Sequence, residues 1–263
     1  MIELNKIYNE DCLSGMQRIP DGSVDCIICD LPYEVLHKNN PHALWDRIIP
    51  FEPLWEQYER IIKENGAIVL FAQGMFTAKL MMSNQKLWRY NLIWDKQRVT
   101  GFLNANRMPM RCHEDICVFY KTLPTYNPQY FKGEPNHPQG NGKHKQTNRC
   151  YGKYGNDYKG RTHESVPRVE STVPEGMKLP RSIVPIKKEH ESTVLHPTQK
   201  PVALIEYLSR PTPTRVKQSS TTAWVAEQLP LPPSAPNDTS SASSCRKSIS
   251  IWLKRESRTS VDS

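Results

Sequence analysis

Hydrophobic positions fall into short, well-separated groups along the first half of the chain. Val24–Cys29 (VDCIIC) is an apolar run that predicts a strand buried on both faces. In Leu54–Glu64 (LWEQYERIIKE), Leu54, Tyr58, Ile61 and Ile62 recur at helical spacing, and Asn65-Gly66 reads as the stop. Gly66–Ala72 (GAIVLFA) predicts a second buried strand, followed by a helix through FTAKLMMS. YNLIW (Tyr90–Trp94) and ICVFY (Ile116–Tyr120) predict two more strands. Strands alternating with helices predict an α/β sheet with helices on both faces.

From Lys121 to His190 the periodicity fades. Tyr126, Tyr130, Tyr151, Tyr154 and Tyr158 are interleaved there with Lys132, Lys143, Lys145, Arg149, Lys153, Lys159 and Arg161. Aromatics among cations suit base stacking with phosphate contact; the alternative is a long, partly disordered insertion. Charge sharpens the contrast. Residues 1–120 hold 13 Lys/Arg against 15 Asp/Glu, whereas residues 121–190 hold 13 against 6. A near-neutral scaffold with a basic insert points to a polyanion partner, double-stranded DNA first. Lys143, Lys145, Arg149, Lys153, Tyr154, Lys159 and Arg161 are its candidate contacts.

Order returns in TQKPVALIEYL (Thr198–Leu208), a helix with Pro201 in its first turn and Val202, Leu204, Ile205 and Leu208 as its apolar face. Residues 209–263 then contain 13 Ser, 6 Thr and 6 Pro among 55 positions, which leaves little from which to build a core.

No apolar run approaches the roughly 20 residues of a membrane span, and no secretory signal is recognised. Seven scattered Cys fit a reducing compartment, so the expected location is cytoplasmic, in a bacterial or phage-encoded protein. Cys26 and Cys29 form a C-x-x-C inside a core strand with no second ligand pair, and Cys112, His113 and Cys117 are no better spaced; no metal is expected. Oligomeric state is not legible.

The chemistry concentrates in Asp30-Leu31-Pro32-Tyr33, directly after the first buried strand. In open α/β sheets ligands bind beyond the carboxyl ends of strands. Asp30 supplies a carboxylate acceptor, Pro32 stiffens the turn, and Tyr33 offers a flat face on which a base can stack. Asp and Pro are also ordinary turn residues, so the tetrapeptide alone is a weak signal.

IYNEDCLSGM, IPDGSVDCIICDLPY, LWDRIIPFEPLW, GAIVLFAQ, IWDKQRVTGFLNANRMPMRCHEDICVFYK and HPTQKPVALIEYL together resemble the DNA amino-methyltransferases. The order matches the β-type arrangement, in which a catalytic D-P-P-Y block precedes target recognition and the cofactor block comes last. The resemblance implies a Rossmann-like, S-adenosylmethionine-dependent methyltransferase sheet that transfers a methyl group to the 6-amino group of adenine. Leu31 replaces the first Pro of the tetrapeptide, and Glu34 stands where a Gly often follows. The resemblance also implies that Tyr33 stacks on a flipped adenine, while the Asp30 carboxylate and the Leu31 carbonyl accept its amino hydrogens. His196, Pro197, Thr198, Gln199, Lys200 and Pro201 match the block lining the methionine end of the cofactor pocket, and Trp45 and Asp46 match a loop beside the catalytic turn. Asp in the tetrapeptide favours adenine; Ser there would favour the 4-amino group of cytosine, which stays the alternative, together with a catalytically dead DNA-binding remnant.

The division implied is a catalytic half over residues 1–120, a basic target-recognition region over 121–190, a cofactor-pocket motif and helix over 191–208, and a non-native or disordered tail over 209–263. Such a family should next show a strand ending in V-L-D-x-x-x-G-S-G-T-T, yet no Gly follows Gly176. A one-base slip accounts for the gap. Trp224 is encoded by TGG and Val codons begin GT, so the slipped Trp224/Val225 junction spells glycine. The slipped frame over Trp224–Leu229 permits G-S-G-T-T, and Lys217–Thr222 permits T-V-L-D-N. The expectation is a frameshift near Leu208–Arg210, with the cofactor half lost, one edge of the sheet bared and little methyl transfer.

Overall fold

A computed structural model describes residues 7–35, 46–124, 126–133, 174, 176–189 and 199–209, together with the backbone of two later strands. In chain order the elements are β1 (Ile7–Asp11), α1 (Cys12–Met16), β2 (Val24–Asp30), α2 (Phe51–Ile61), β3 (Ile62–Ala72), α3 (Met75–Ser83), β4 (Trp88–Thr100) and β5 (Arg111–Phe119). There follow β6 (Phe131–Lys132), β7 (Met177–Lys178), β8 (Ile183–Pro185), α4 (Val202–Ser209), β9 (Thr221–Glu227) and β10 (Ser248–Arg255). Two compact units emerge: Met1–Asn127 with Arg181–Ser263, and Pro128–Pro180. The smaller contains the antiparallel β6–β7 pair. Residues 181–189 thus group with the larger unit.

The larger unit is built on one mixed sheet of order β1-β10-β9-β2-β3-β5-β4-β8. β2 runs parallel to both its neighbours, β3 and β9, while β5 is antiparallel to β3 and β4. Alternation along β3 shows why both faces are apolar. Ile68, Leu70 and Ala72 join one cluster, with Leu54, Tyr58, Ile61, Phe76 and Leu80 from α2 and α3. Ala67, Val69 and Phe71 join the opposite cluster, with Leu204 and Leu208 of α4. Helices pack on both faces of the α/β sheet, as the hydrophobic pattern predicts, and the architecture is Rossmann-like, as the resemblance implies. No helix among the described residues is long and apolar enough to cross a membrane.

Several expectations change. The helix expected through Glu64 stops at Ile61, because Ile62 is extended (φ −72°, ψ 138°) and pairs with Val24 of β2. Asn65-Gly66 is therefore not its stop. Gly66 permits a close approach: a Cβ there would lie 2.7 Å from the Ile62 side chain and 2.9 Å from the Asp25 carbonyl. On α4, Leu204 and Leu208 are buried and Val202 is 59% exposed. Val202 precedes Leu204 by two positions, which puts it on another face of the helix. The tail is not strandless either, and the bare edge expected beside β2 carries β9, then β10 and β1. Thr221–Val225 and Ile249–Leu253 are the β-branched and aromatic groups of that segment, which favour extended pairing.

Candidate active site

β2 delivers Asp30 to the carboxyl end of a strand flanked on both sides by parallel partners, the position where open α/β sheets bind ligands. The chain then turns through buried Leu31 and Pro32. Glu34 closes the turn in the left-handed region (φ 61°), which explains why glycine suits this position. Its backbone N–H donates to Asp46 Oδ1 at 2.9 Å, and Asp46 is buried. Asp46, twelve positions further along the chain, thus supports the turn; Trp45 lies outside the described residues.

Both oxygens of Asp30 are engaged. Tyr33 donates its hydroxyl to Oδ1 at 2.6 Å, and Lys200 Nζ donates to Oδ2 at 2.7 Å. Lys200 sits just before α4, whose first backbone bonds run from Leu204 N and Ile205 N to the Pro201 carbonyl. Its ammonium also faces Glu114 Oε2 at 3.2 Å, while Lys96 Nζ holds Glu114 Oε1 at 2.7 Å. Glu114 Oε2 receives no well-directed hydrogen bond. Lys96 and Glu114 come from the neighbouring strands β4 and β5. Two carboxylates and two ammonium groups thus share one largely buried site with balanced charge.

The aromatic wall is equally defined. The Tyr33 ring stacks on Phe76 with centroids 5.1 Å apart and planes at 30°, an arrangement favoured by ring quadrupoles. Lys200 Nζ lies 5.1 Å from the Phe71 centroid and 5.7 Å from that of Tyr33.

Electrostatics follow from burial against pairing. Burial raises the Asp30 carboxyl above its ordinary value, opposed by Lys200 and the Tyr33 hydroxyl. Burial would also raise Glu114, but Lys200 and Lys96 together outweigh it and hold that carboxyl low. Burial would lower Lys200, yet Asp30 and Glu114 hold its ammonium above the usual value.

Of the residues singled out by sequence, Asp30, Leu31, Pro32, Tyr33, Gln199, Lys200 and Pro201 are described, and Lys200 meets Asp30 and Tyr33 directly. His196, Pro197 and Thr198 lie outside the described residues, as do Lys143, Lys145, Arg149, Lys153, Tyr154, Lys159 and Arg161. Lys96 and Glu114 fall inside the block IWDKQRVTGFLNANRMPMRCHEDICVFYK, where the sequence points to no role for either. No sequence signal distinguishes them, since β4 and β5 hold other charges as well, among them Arg89, Asp95, Arg98, Arg111 and Asp115. Cys26 and Cys117 are buried thiols pushed up to about 12, in both cases by burial first and then by an acidic neighbour. No metal-competent cluster occurs among the described residues.

A family model described as DNA methylase, of the N6 and N4 type, matches residues 24–210. The chain belongs to this family of DNA amino-methyltransferases. The type II methyltransferase M.BglII of Bacillus subtilis is 29% identical over 222 residues, spanning 77% of this chain and 55% of that protein. The type II methyltransferase M.HinfI of Haemophilus influenzae is 28% identical over 155 residues, 47% of this chain and 43% of its own length. The chain therefore spans about half the length of these curated relatives. Among solved structures, the PVUII DNA methyltransferase (cytosine-N4-specific) aligns with a TM-score of 0.47 at 12% identity, covering 77% of this chain and 68% of that one. The M1.HpyAVI–SAM complex aligns with a TM-score of 0.43 at 17% identity, over 81% and 77% of the two chains.

Proposed function

We propose that this chain is built to methylate the 6-amino group of adenine in double-stranded DNA, with Asp30 as the acceptor that orients the reacting nitrogen. The observation that carries this reading is the part-buried Asp30 carboxylate at the end of β2, held between Tyr33 and Lys200. A target base must leave the duplex to reach such a site. The Tyr33 ring, backed by Phe76, offers the stacking face. Asp30 accepts an amino hydrogen, and the Leu31 carbonyl accepts the other, drawing the nitrogen lone pair out of conjugation with the ring. The catalytic contribution is positioning and electrostatic fixation more than proton transfer.

S-adenosylmethionine, when bound, supplies an electrophilic methyl group. Gln199, Lys200 and Pro201, with His196–Thr198 before them, suit the methionine end of that cofactor. The glycine turn that should hold the remainder has no counterpart among the described residues, and we attribute this to the frameshift near Leu208–Arg210. Supporting that reading, β9 lies directly beside β2, with Val225 opposite Cys29. Trp224–Glu227, part of the stretch whose slipped codons permit the glycine turn, ends that strand on the same side as Asp30.

The test is methyl transfer to DNA from labelled S-adenosylmethionine, with nucleosides resolved by mass spectrometry, for this chain and for a frame-restored one. The expected product of the restored chain is N6-methyldeoxyadenosine, with little from this chain. N4-methyldeoxycytidine would overturn the choice of base, and label in neither chain's DNA would overturn methyl transfer.

A further inference from the structure

The hairpin joining β4 to β5 leaves the site and ends in bare apolar side chains. Its two legs begin at Lys96 and Glu114, the ion pair that backs Lys200. Beyond them every residue from Gln97 to His113 is exposed. Phe102 is 75% exposed and Leu103 84% exposed at the tip. Solvent-facing phenylalanine and leucine side by side are costly to leave uncovered.

The tip is nonetheless built. Gly101 takes a left-handed conformation (φ 87°) to start a single 3-10 turn over Phe102–Asn104. Backbone bonds from Asn104 N to Gly101 O at 3.0 Å and from Arg107 N to Asn104 O at 2.8 Å hold it. At the neck, Thr100 pairs with Arg111, and a register shift between Asp95 and Thr100 bends the β4 leg; bulges beside active sites commonly re-aim a strand in this way. Charge completes the pattern. Arg98, Arg107 and Arg111 flank the tip, Gln97–Arg111 contains no Asp or Glu, and none of the three arginines forms an ion pair among the described residues.

We propose that this hairpin is a wedge for double-stranded DNA: Phe102 and Leu103 enter the base stack at the gap left by the extruded base, and Arg98, Arg107 and Arg111 hold the adjoining phosphates. The proposal rests on the reading that Asp30 receives a flipped base. Apolar side chains inserted between base steps compensate for lost stacking, and flanking cations fix register on the backbone. Duplex DNA is the occupant because the wedge is rooted in Lys96 and Glu114, so it stands beside the pocket the base must enter. An anionic membrane would match the same tip chemistry without using that placement.

The test uses the full chain and labelled duplexes that the wild-type chain selects from a randomised pool, with 2-aminopurine replacing each adenine in turn. The Phe102→Ala/Leu103→Ala double variant is expected to bind about tenfold more weakly and to lose the fluorescence rise of the unstacked base. Arg107→Ala should lower the salt slope of binding by about one charge while leaving the fluorescence of saturated complexes in place. All these side chains are exposed, so unchanged thermal unfolding certifies the fold. If wild type binds and brightens while the double variant matches it, the wedge is wrong and the base-flipping reading stands. If wild type selects no duplex, both fall. Loss of binding to phosphatidylserine/phosphatidylcholine vesicles, with duplex binding unaltered, assigns the tip to a membrane and overturns the wedge.

Discussion

Lys200 Nζ reaches Asp30 Oδ2 at 2.7 Å across 170 positions of sequence. That contact ties the start of α4 to the end of β2, so the turn carrying Asp30 and the segment matching the cofactor block are fixed by one ion pair. Because Lys200 also faces Glu114, removing it leaves two largely buried carboxylates with less compensation. Breaking a buried pair from one side is far more costly than deleting it whole.

Lys200→Met should therefore destabilise the larger unit by about 3–5 kcal/mol, measured by urea unfolding. Lys200→Arg, which keeps the charge, should recover much of the loss. A Met variant as stable as wild type would show that the ion pair contributes nothing net.

The same cluster sets a pH dependence. The raised Lys200 value gives a contribution that is complete below the unfolded lysine value of about 10.4 and is lost as pH climbs through the folded one. The lowered Glu114 value gives a contribution present above about 4.3 and lost as pH falls through the folded one. Asp30, being raised, works against Glu114 on the acid side. The alkaline loss is thus the cleaner signature, and it should vanish from the urea midpoints of Lys200→Met.

Glu34→Gly should stabilise the chain by up to about 1 kcal/mol, because a residue with a Cβ at φ 61° carries a steric cost that glycine avoids. The N–H to Asp46 is kept. A higher thermal midpoint checks this; a lower one would mean that the Glu34 side chain has a role of its own.

Gly66→Ala should cost about 1–3 kcal/mol, since the new methyl would press on the Ile62 side chain and on the Asp25 backbone carbonyl. Unfolding at equilibrium reads the difference directly. The β2–β3 register is the structural link at stake, and Asp30 is carried on it.

Much of this arrangement was legible because β2 and β3 are buried on both faces, so their apolar runs stand out whatever surrounds them. Asp30 and Tyr33 were legible through the resemblance of six blocks in family order, since Asp and Pro after an apolar run are also ordinary turn residues. Glu114 and Lys96 were not, since single-chain periodicity assigns charges to the surface and cannot see that β4 and β5 bring them together. Asn65-Gly66 misled for a related reason: a glycine demanded by close strand approach looks the same in sequence as one that ends a helix. β9 and β10 were hidden by the serines and threonines around them, whose composition outweighed their short β-branched runs.

In the proposed function, Asp30 orients the amino nitrogen that becomes methylated. The direct measurement is N6-methyldeoxyadenosine formed by the frame-restored chain and by its Asp30→Asn variant, with both confirmed as folded. Loss of one positioned acceptor should lower the rate by about a hundredfold or more, with N6-methyldeoxyadenosine as the product of the unsubstituted chain. An Asp30→Asn variant that methylates adenine at the unsubstituted rate would contradict the claim.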